Sequence, residues 1–338
     1  GTNDGIFISG CKIKNVNHGV YAFGIPVIAD GTSFNDKNLT ILNDTIQNFT
    51  HNGVSISYSN GDLVKGCQIN NLAGGGTAPT SNHIFGVTYS NTNAALVTNT
   101  GWTCSDNNID LTTNTAGSYA VTGVYTQLNG TGTTDITNDT IKITSTGSSA
   151  LVYGIHGQNL LGTQNINNNN LQNFSTQTTN SQSVFAILVG GYNTELLGLA
   201  TIERYPSTTN TNNNTIQNFN VSCGTASANN RIAMIMDNNI STTVPAVVAN
   251  VTNNSISNIT INATSQRFVG YGCLWGYGLF SPSVTHTTNF NKNSFSKISA
   301  PTSAGVNSTP FYLVYTRGTY AYGHTLKCEQ NKFSSISS

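Results

Sequence analysis

The carboxylates that could perform acid–base or calcium chemistry are few and scattered along this sequence. Only 13 of the 338 residues are acidic. A glycosidase needs two carboxylates facing one bond, and a calcium-dependent lyase needs a basic residue beside clustered acidic ligands. The densest acidic group is Asp106, Asp110, Asp135 and Asp139. It suits either a weak calcium or catalytic site or a set of turn caps, and we expect turn caps and no catalytic residue.

Histidine and cysteine, the common ligands of transition metals, show no spacing typical of a metal site. His18 and His51 each follow an equivalent isoleucine by five residues, and we expect them to pack on each other. The six cysteines form no Cys-x-x-Cys pair, so we expect small buried apolar side chains, with one or two disulfides as the alternative. They are Cys11, Cys67, Cys104, Cys223, Cys273 and Cys328. Phosphate-binding and nucleophile-elbow motifs are also missing, and neither a metal nor a cofactor is predicted.

The composition indicates a surface that is polar but carries few charges. Charged residues make up 8% of the chain and the net charge is zero, whereas roughly 25% is usual for a soluble domain. Such a surface lacks the basic patch that nucleic acid or an anionic membrane requires. No apolar run approaches the roughly 18 residues that span a bilayer, and the first residues do not read as a signal peptide. We therefore predict neither nucleic-acid binding nor membrane insertion.

A short apolar pattern recurs along the whole chain and indicates a solenoid. In each copy an apolar anchor follows a polar residue, as in residues 44–49 (DTIQNF) and 214–219 (NTIQNF). Neighbouring anchors are between 23 residues (Ile46 to Ile69) and 45 residues (Leu171 to Ile216) apart. The ten predicted core anchors are Ile13, Ile46, Ile69, Ile109, Ile141, Leu171, Ile216, Ile256, Phe295 and Phe333.

Two further stretches, rich in β-branched and aromatic residues, lie between successive anchors. One begins with a Gly-Val or Gly-Ile step, as at Gly53-Val54, and the other directly precedes the next anchor, as in residues 247–251. Their short alternating patterns predict β-strands. Because one thin coil cannot bury its own apolar face, the coils must stack. The sequence predicts an all-β, right-handed parallel β-helix of about ten coils with three short strands per coil. It forms one domain over residues 1–338, or a segment of a longer solenoid.

An Asn or Asp precedes most anchors by two residues. Its side chain tolerates a turn and can bond to its equivalents in the coils above and below. We therefore predict a structural ladder along one corner of the solenoid, in which Cys11 and Cys67 occupy two of the positions. The other predicted members are Asp44, Asn107, Asp139, Asn169, Asn214, Asn254, Asn293 and Asn331.

Aromatic residues crowd the C-terminal third of the chain, where they suit either of two roles. On a neutral polar face they could stack on sugars, and inside a widened coil they would fill the core. We expect core filling. The residues are Tyr271, Trp275, Tyr277, Phe280, Phe311, Tyr312, Tyr315, Tyr320 and Tyr322.

The Asn-rich units at residues 212–219 and 253–259 resemble the β-helical repeats of bacterial surface proteins. In composition and repeat style they are most similar to the Asn/Thr/Ser-rich giant adhesins and filament proteins of Bacteroidota, and the similarity extends over nearly the whole chain. The resemblance implies export to the cell surface, a role in adhesion or appendage building, and no cofactor.

The residues and the resemblance together predict a non-enzymatic, extracellular structural or adhesive protein at the cell surface. Uncovered strand edges at the first and last coils predict end-to-end self-association or continuation into a longer chain. A surface glycan is the other expected partner. Two alternatives stay open: a carbohydrate-binding module, and a polysaccharide-degrading β-helix of the lyase, glycosidase or phage-tailspike type.

Overall fold

The structure is a computed structural model that describes most of the chain. The described residues are 4–24, 36–71, 83–91, 101–113, 120–128, 130–146, 151–159, 161–178, 183–190, 206–223, 231–239, 246–263, 267–275, 285–299, 311–318 and 324–337. These residues form β-strands and no helix. Within the same ranges there is accordingly no helix of the length and apolarity needed to cross a membrane.

Successive strands join three parallel sheets in strict rotation, so that one strand from each sheet makes one coil. Sheet 1 contains Phe7–Ser9, Thr40–Leu42, Asp62–Lys65, Gly101–Ser105, Thr133–Thr137, Thr163–Asn167, Thr208–Asn212, Ala246–Thr252, Thr285–Asn291 and His324–Glu329. Sheet 2 contains Lys12–Lys14, Thr45–Gln47, Gln68–Asn71, Asn108–Thr113, Thr140–Ser145, Asn170–Gln172 with Ser175–Thr178, Thr215–Cys223, Ser255–Ala263, Ser294–Ser299 and Lys332–Ser337. Sheet 3 contains His18–Phe23, Asn52–Ser57, Ile84–Asn91, Ala120–Leu128, Leu151–Gly157, Ser183–Gly190, Arg231–Asn239, Arg267–Trp275 and Phe311–Gly318.

We number the coils 1 to 10 by their sheet 1 strands. A small additional sheet pairs Asp36–Lys37 with Ser59–Asn60. All pairings are parallel, and each joins a strand to its equivalent in an adjacent coil. The prediction of a parallel β-helix with about ten coils and three strands per coil is confirmed.

The connection from sheet 1 to sheet 2 is the most regular part of the coil. It contains two residues in all ten coils. The first has a left-handed backbone in each of them, with φ between 56° (Asn43) and 67° (Gly66). Asn, Asp and Gly tolerate this conformation best, and only Lys292 and Gln330 depart from these types. The second residue of the connection is the ladder position.

A second left-handed residue explains why two apolar side chains three positions apart both face the core. In coil 7, Ile216 and Phe219 are buried, although an uninterrupted strand would direct them to opposite faces. Asn218, between them, has φ 58° and redirects the chain. Asn48 and Asn258 have the same conformation at the equivalent position in coils 2 and 8.

The ten anchors form one column of sheet 2, in which each is paired in register with the next. The eight anchors from Ile46 to Phe295 are completely buried. Burial of each such side chain contributes about 1.5–3 kcal/mol. Ile13 is partly buried and Phe333 is 43% exposed, because they lie in the first and last described coils.

The recurring glycine of sheet 3 is required by close packing against the anchors. A Cβ atom on Gly123 would lie 2.6 Å from Cγ2 of Ile141 and 2.5 Å from the backbone oxygen of Gly154. The equivalent glycines meet the same two kinds of atom, namely an anchor side chain and the backbone oxygen of the next coil; they are Gly19, Gly53, Gly86 and Gly154. The Gly-Val step therefore marks the place where sheet 3 approaches sheet 2 most closely.

Candidate functional site

The structure places the eight predicted ladder residues at one corner, between sheet 1 and sheet 2. Seven of them, from Asp44 to Asn293, are buried, and Asn331 is partly buried. Asn214 is representative. Its Oδ1 accepts from the backbone N–H of Asn169 at 2.9 Å and from its amide at 3.1 Å. Its own amide donates to the Ile166 carbonyl at 2.8 Å and to Oδ1 of Asn254 at 3.0 Å.

The same contacts continue through coils 6 to 10, so each Asn side chain from Asn169 to Asn293 bonds to the preceding and following coils, and Asn331 bonds to the preceding one. The two cysteines at ladder positions have no side-chain amide, and their thiols donate only to backbone carbonyls, Cys11 to Ser9 and Cys67 to Ile41 and Lys65. Their backbone N–H groups still join the ladder. Cys11 donates to Oδ1 of Asp44 at 2.6 Å, and Cys67 donates to Oδ1 of Asn107 at 2.9 Å. The ladder thus satisfies backbone donors that a tight, buried corner would otherwise leave unpaired.

Asp139 is the ladder member whose ionisation the structure perturbs most clearly. Burial raises its pKa to about 7, against hydrogen bonds from the backbone and amide of Asn107 that lower it. Nearby Asp106 raises it slightly further. A carboxyl group therefore occupies, at considerable electrostatic cost, a position that its neighbours fill with a neutral amide.

The acidic group predicted as turn caps does not assemble a carboxylate pair. Each of its four members has a separate partner. These are Lys65 for Asp106 (3.5 Å), Lys142 for Asp110 (2.8 Å), Asn165 for Asp135 (2.7 Å) and Asn107 for Asp139 (2.9 Å). Two carboxylates sharing one bond, as glycoside hydrolysis requires, are not provided by these residues.

The predicted histidine pair and the C-terminal aromatic residues have different surroundings. The rings of His18 and His51 lie 5.3 Å apart at a tilt of 38°. Tyr271 is fully buried and stacks on Phe290 at 4.5 Å, which fits core filling. Phe311, Tyr312 and Tyr315 are half-buried. Tyr277, Phe280, Tyr320, Tyr322 and the side chain of Trp275 lie outside the described part of the structure.

A second interior corner, where sheet 3 leads into sheet 1 of the next coil, is lined by buried polar side chains. In the middle coils the Thr126 hydroxyl donates to Asn159 at 3.1 Å, and the Asn159 amide donates to Thr134 at 2.8 Å. Thr134 begins a sheet 1 column that continues in register through Gln164, Thr209 and Ala249 to Thr288, and every member except Ala249 is polar. A polar column is unusual inside a solenoid, because buried polar groups need partners.

Towards coil 10 this polar corner contains a cluster of Cys273, His286 and His324. Sγ of Cys273 lies 4.0 Å from Nδ1 of His286 and 4.0 Å from Nε2 of His324. The ligand atoms of all three residues lie within 4.8 Å of one another. Thr288 adds a hydroxyl 3.6 Å from Sγ and 3.2 Å from Nε2 of His324. Cys273 and His286 are buried, whereas His324 is half-buried.

Burial sets the protonation of this cluster. It raises the pKa of the Cys273 thiol to about 12, and the nearby Asp237 carboxyl adds to the shift. It lowers the pKa of His286 to about 3, helped by repulsion from His324, whose own pKa burial also lowers. Both imidazoles are consequently neutral at pH 7, the state in which a ring nitrogen offers a lone pair to a metal. The five cysteines whose side chains are described are all unpaired thiols.

The spacing rules for metal sites do not identify this cluster. The repeat does indicate its two histidines, because His286 and His324 precede the anchors Phe295 and Phe333 by the same nine residues. That offset predicts that the two imidazoles lie in adjacent coils, and they do. Cys273 has no such signal, since it lies in sheet 3 and reaches the histidines only across the corner.

No protein-family model matches the chain, and neither a curated protein nor a solved structure is significantly similar to it.

Proposed function

We propose that this chain is a non-enzymatic structural solenoid of an extracellular filament or adhesin at the cell surface. The observation that carries the proposal is the ladder of buried side-chain amides, which bonds each coil to the next from coil 6 to coil 10. A ladder of this kind holds successive coils together along one axis, which suits a structural role. Ten coils at the strand spacing of about 4.8 Å form a rod about 50 Å long.

A second ladder on the outer face of sheet 1 supports the same role. Asn165 donates to Asp135, Asn210 to Asn165, Asn250 to Asn210 and Asn289 to Asn250, at 2.7–2.8 Å. These half-buried amides make a surface that is polar and almost uncharged. Neighbouring molecules on a cell surface would meet it with little long-range repulsion.

The first and last described coils have uncovered apolar side chains that another coil would bury. Ile6 is 39% exposed in coil 1, and Phe333 is 43% exposed in coil 10. Parallel strands at such faces offer unpaired N–H and C=O groups to a further strand. The covering coil comes either from more of the same polypeptide or from a second copy of this chain.

Negative-stain electron microscopy over a concentration series tests the assembly part of the proposal. Rods that lengthen with concentration in units of about 50 Å are expected. Phe333→Asp should shorten them, because it places a charge on the apolar end of the core. Ser334→Asp adds the same charge at the adjacent exposed residue and should have a smaller effect. Discrete particles of constant length at every concentration would contradict end-to-end assembly.

Carbohydrate binding without catalysis is the second candidate, and one observation favours it. The exposed rings of Tyr21 and Phe23 are nearly parallel, with centroids 6.3 Å apart and an interplanar angle of 3°. Flat aromatic pairs on a neutral face can stack on sugar rings. A glycan array with the wild-type chain and Tyr21→Ala distinguishes this candidate, since binding that depends on Tyr21 would support it.

A further inference from the structure

Three side chains with metal-binding atoms converge in the polar corner near coil 10, and nothing in the structural role requires them. Cys273 is in sheet 3 of coil 8, whereas His286 and His324 are in sheet 1 of coils 9 and 10. Val247 pairs in register with His286 in the adjacent coil. An apolar side chain therefore fits the same column, and stacking of the coils does not require a histidine there.

The distances are close to those of a tetrahedral site. Bond lengths of about 2.3 Å for Zn–S and about 2.0–2.1 Å for Zn–N place sulfur and nitrogen about 3.6 Å apart around a tetrahedral ion. The separations of 4.0 Å from Sγ of Cys273 to each histidine exceed this by 0.4 Å, and small χ rotations close such a gap.

We propose that Cys273, His286 and His324 bind one Zn²⁺ ion, with a water molecule beside Thr288 as the fourth ligand. Thiolate and imidazole are the ligands that zinc prefers, and three protein ligands plus water is a common zinc arrangement. The half-buried side of His324 gives the ion a way in. The ion would tie coils 8, 9 and 10 together across a corner that the amide ladder does not reach.

The surroundings suit a divalent cation. Binding of Zn²⁺ would displace the proton of the Cys273 thiol into solvent. The resulting thiolate neutralises half of the charge of the ion, and the carboxyl group that can supply the rest is Asp237. It pairs in register with Cys273 in the adjacent coil and accepts a hydrogen bond from the Tyr271 hydroxyl at 2.8 Å. Outer groups of this kind commonly orient metal ligands and strengthen binding.

Cobalt substitution of the full-length chain tests the site, because the Co²⁺ spectrum reports both geometry and thiolate ligation. We expect one equivalent of Co²⁺ to produce visible bands of a tetrahedral ion and a near-ultraviolet thiolate charge-transfer band, and Zn²⁺ to remove both. Cys273→Ser should abolish the charge-transfer band and weaken metal binding by at least about 100-fold, because loss of an outer partner alone already costs about 10–100-fold. Cys104→Ser, a buried cysteine in coil 4, should change neither property.

Melting temperature gives an independent measurement. His324→Gln removes a half-buried ligand, and its circular dichroism shows whether the solenoid still forms. We expect Zn²⁺ to raise the melting temperature of the wild type and not that of His324→Gln, because a ligand that binds only the folded state stabilises it. Three results would overturn the proposal. The wild type could bind Co²⁺ without the charge-transfer band, it could bind less than one equivalent of metal, or Cys273→Ser could bind the metal as tightly as the wild type. None of these results bears on rod formation.

Discussion

The side-chain amide of Asn214 donates to Oδ1 of Asn254 at 3.0 Å, although the two residues are 40 positions apart in the sequence. The backbone N–H of Asn214 donates to the same oxygen at 2.9 Å. One amide group thus satisfies a backbone donor and a side-chain donor of the preceding coil. This contact is the repeating unit that bonds the coils to each other.

Asn214→Ala should lower the free energy of unfolding by about 3 kcal/mol. The change leaves the buried Ile166 carbonyl and the Asn169 N–H groups without their partners, and each buried unpaired group costs about 1–3 kcal/mol. Urea denaturation measures the loss. The matched control is Asn210→Ala in the half-buried outer ladder of the same coil, for which we expect less than about 1 kcal/mol. Equal losses would show that burial of the ladder is not what makes it stabilising.

Asp139→Asn should remove a pH dependence of stability. Because burial raises the pKa of Asp139 to about 7, the folded chain holds a proton that the unfolded chain has already released. The stabilising contribution of the protonated carboxyl is therefore complete below about pH 4 and is lost as the pH rises to about 7. Asparagine has no proton to lose. The free energy of unfolding of the variant, relative to that of the wild type, should therefore rise by up to about 4 kcal/mol between pH 4 and pH 7. Above pH 7 the difference should stay constant.

The control for this prediction is Asp106→Asn, which makes the same chemical change at an exposed residue of the same corner. The difference between wild type and Asp139→Asn, measured by chemical denaturation from pH 4 to pH 8, isolates the one carboxyl group. A difference that does not change with pH would contradict a raised pKa at Asp139.

Gly123→Ala should destabilise the solenoid by about 2 kcal/mol, a typical cost of inserting a methyl group into packed core. Its Cβ atom would overlap the Ile141 side chain and the Gly154 backbone oxygen. Ala186 occupies the equivalent position two coils later, where the coil already accommodates a methyl group. Ala186→Gly should cost only about 1 kcal/mol. Thermal melts of both variants measure the asymmetry, and a neutral Gly123→Ala would disprove the close approach of the two sheets.

Lys292→Asn should stabilise the chain by about 1 kcal/mol, because Lys292 has a left-handed backbone with φ 58° that costs a non-glycine residue about 1–2 kcal/mol. Asparagine adopts this conformation readily and occupies the same position in coil 8 as Asn253. The reciprocal change, Asn253→Lys, should lose a similar amount, and both are measured by urea denaturation. If Lys292→Ala stabilised as much as Lys292→Asn, backbone conformation would not be the cause.

Much of the coil could be predicted from short stretches of sequence. The anchor, such as Ile216, and the polar residue two positions earlier, Asn214, identify sheet 2 and the corner before it. The corner always has two residues, of which Asn214 is the second, and the anchor always follows as the second residue of the next strand. The sequence shows the recurring glycine of the Gly-Val step, but it does not show why a glycine is required there. The clash at Gly123 is with residues of the next coil, 18 and 31 positions away.

The sequence by itself determined the class of fold, the position of each repeat within a coil and the polar, nearly uncharged surface. These properties depend on local alternation, on turn chemistry and on composition, which a linear chain displays directly. Only the tertiary structure decided which side chains meet across a corner, as Cys273 does with His286 and His324, and how far burial shifts the pKa of Asp139. The repeat spacing places His286 and His324 in adjacent coils, but no spacing places Cys273 beside them, because the connecting segments between strands differ in length from coil to coil.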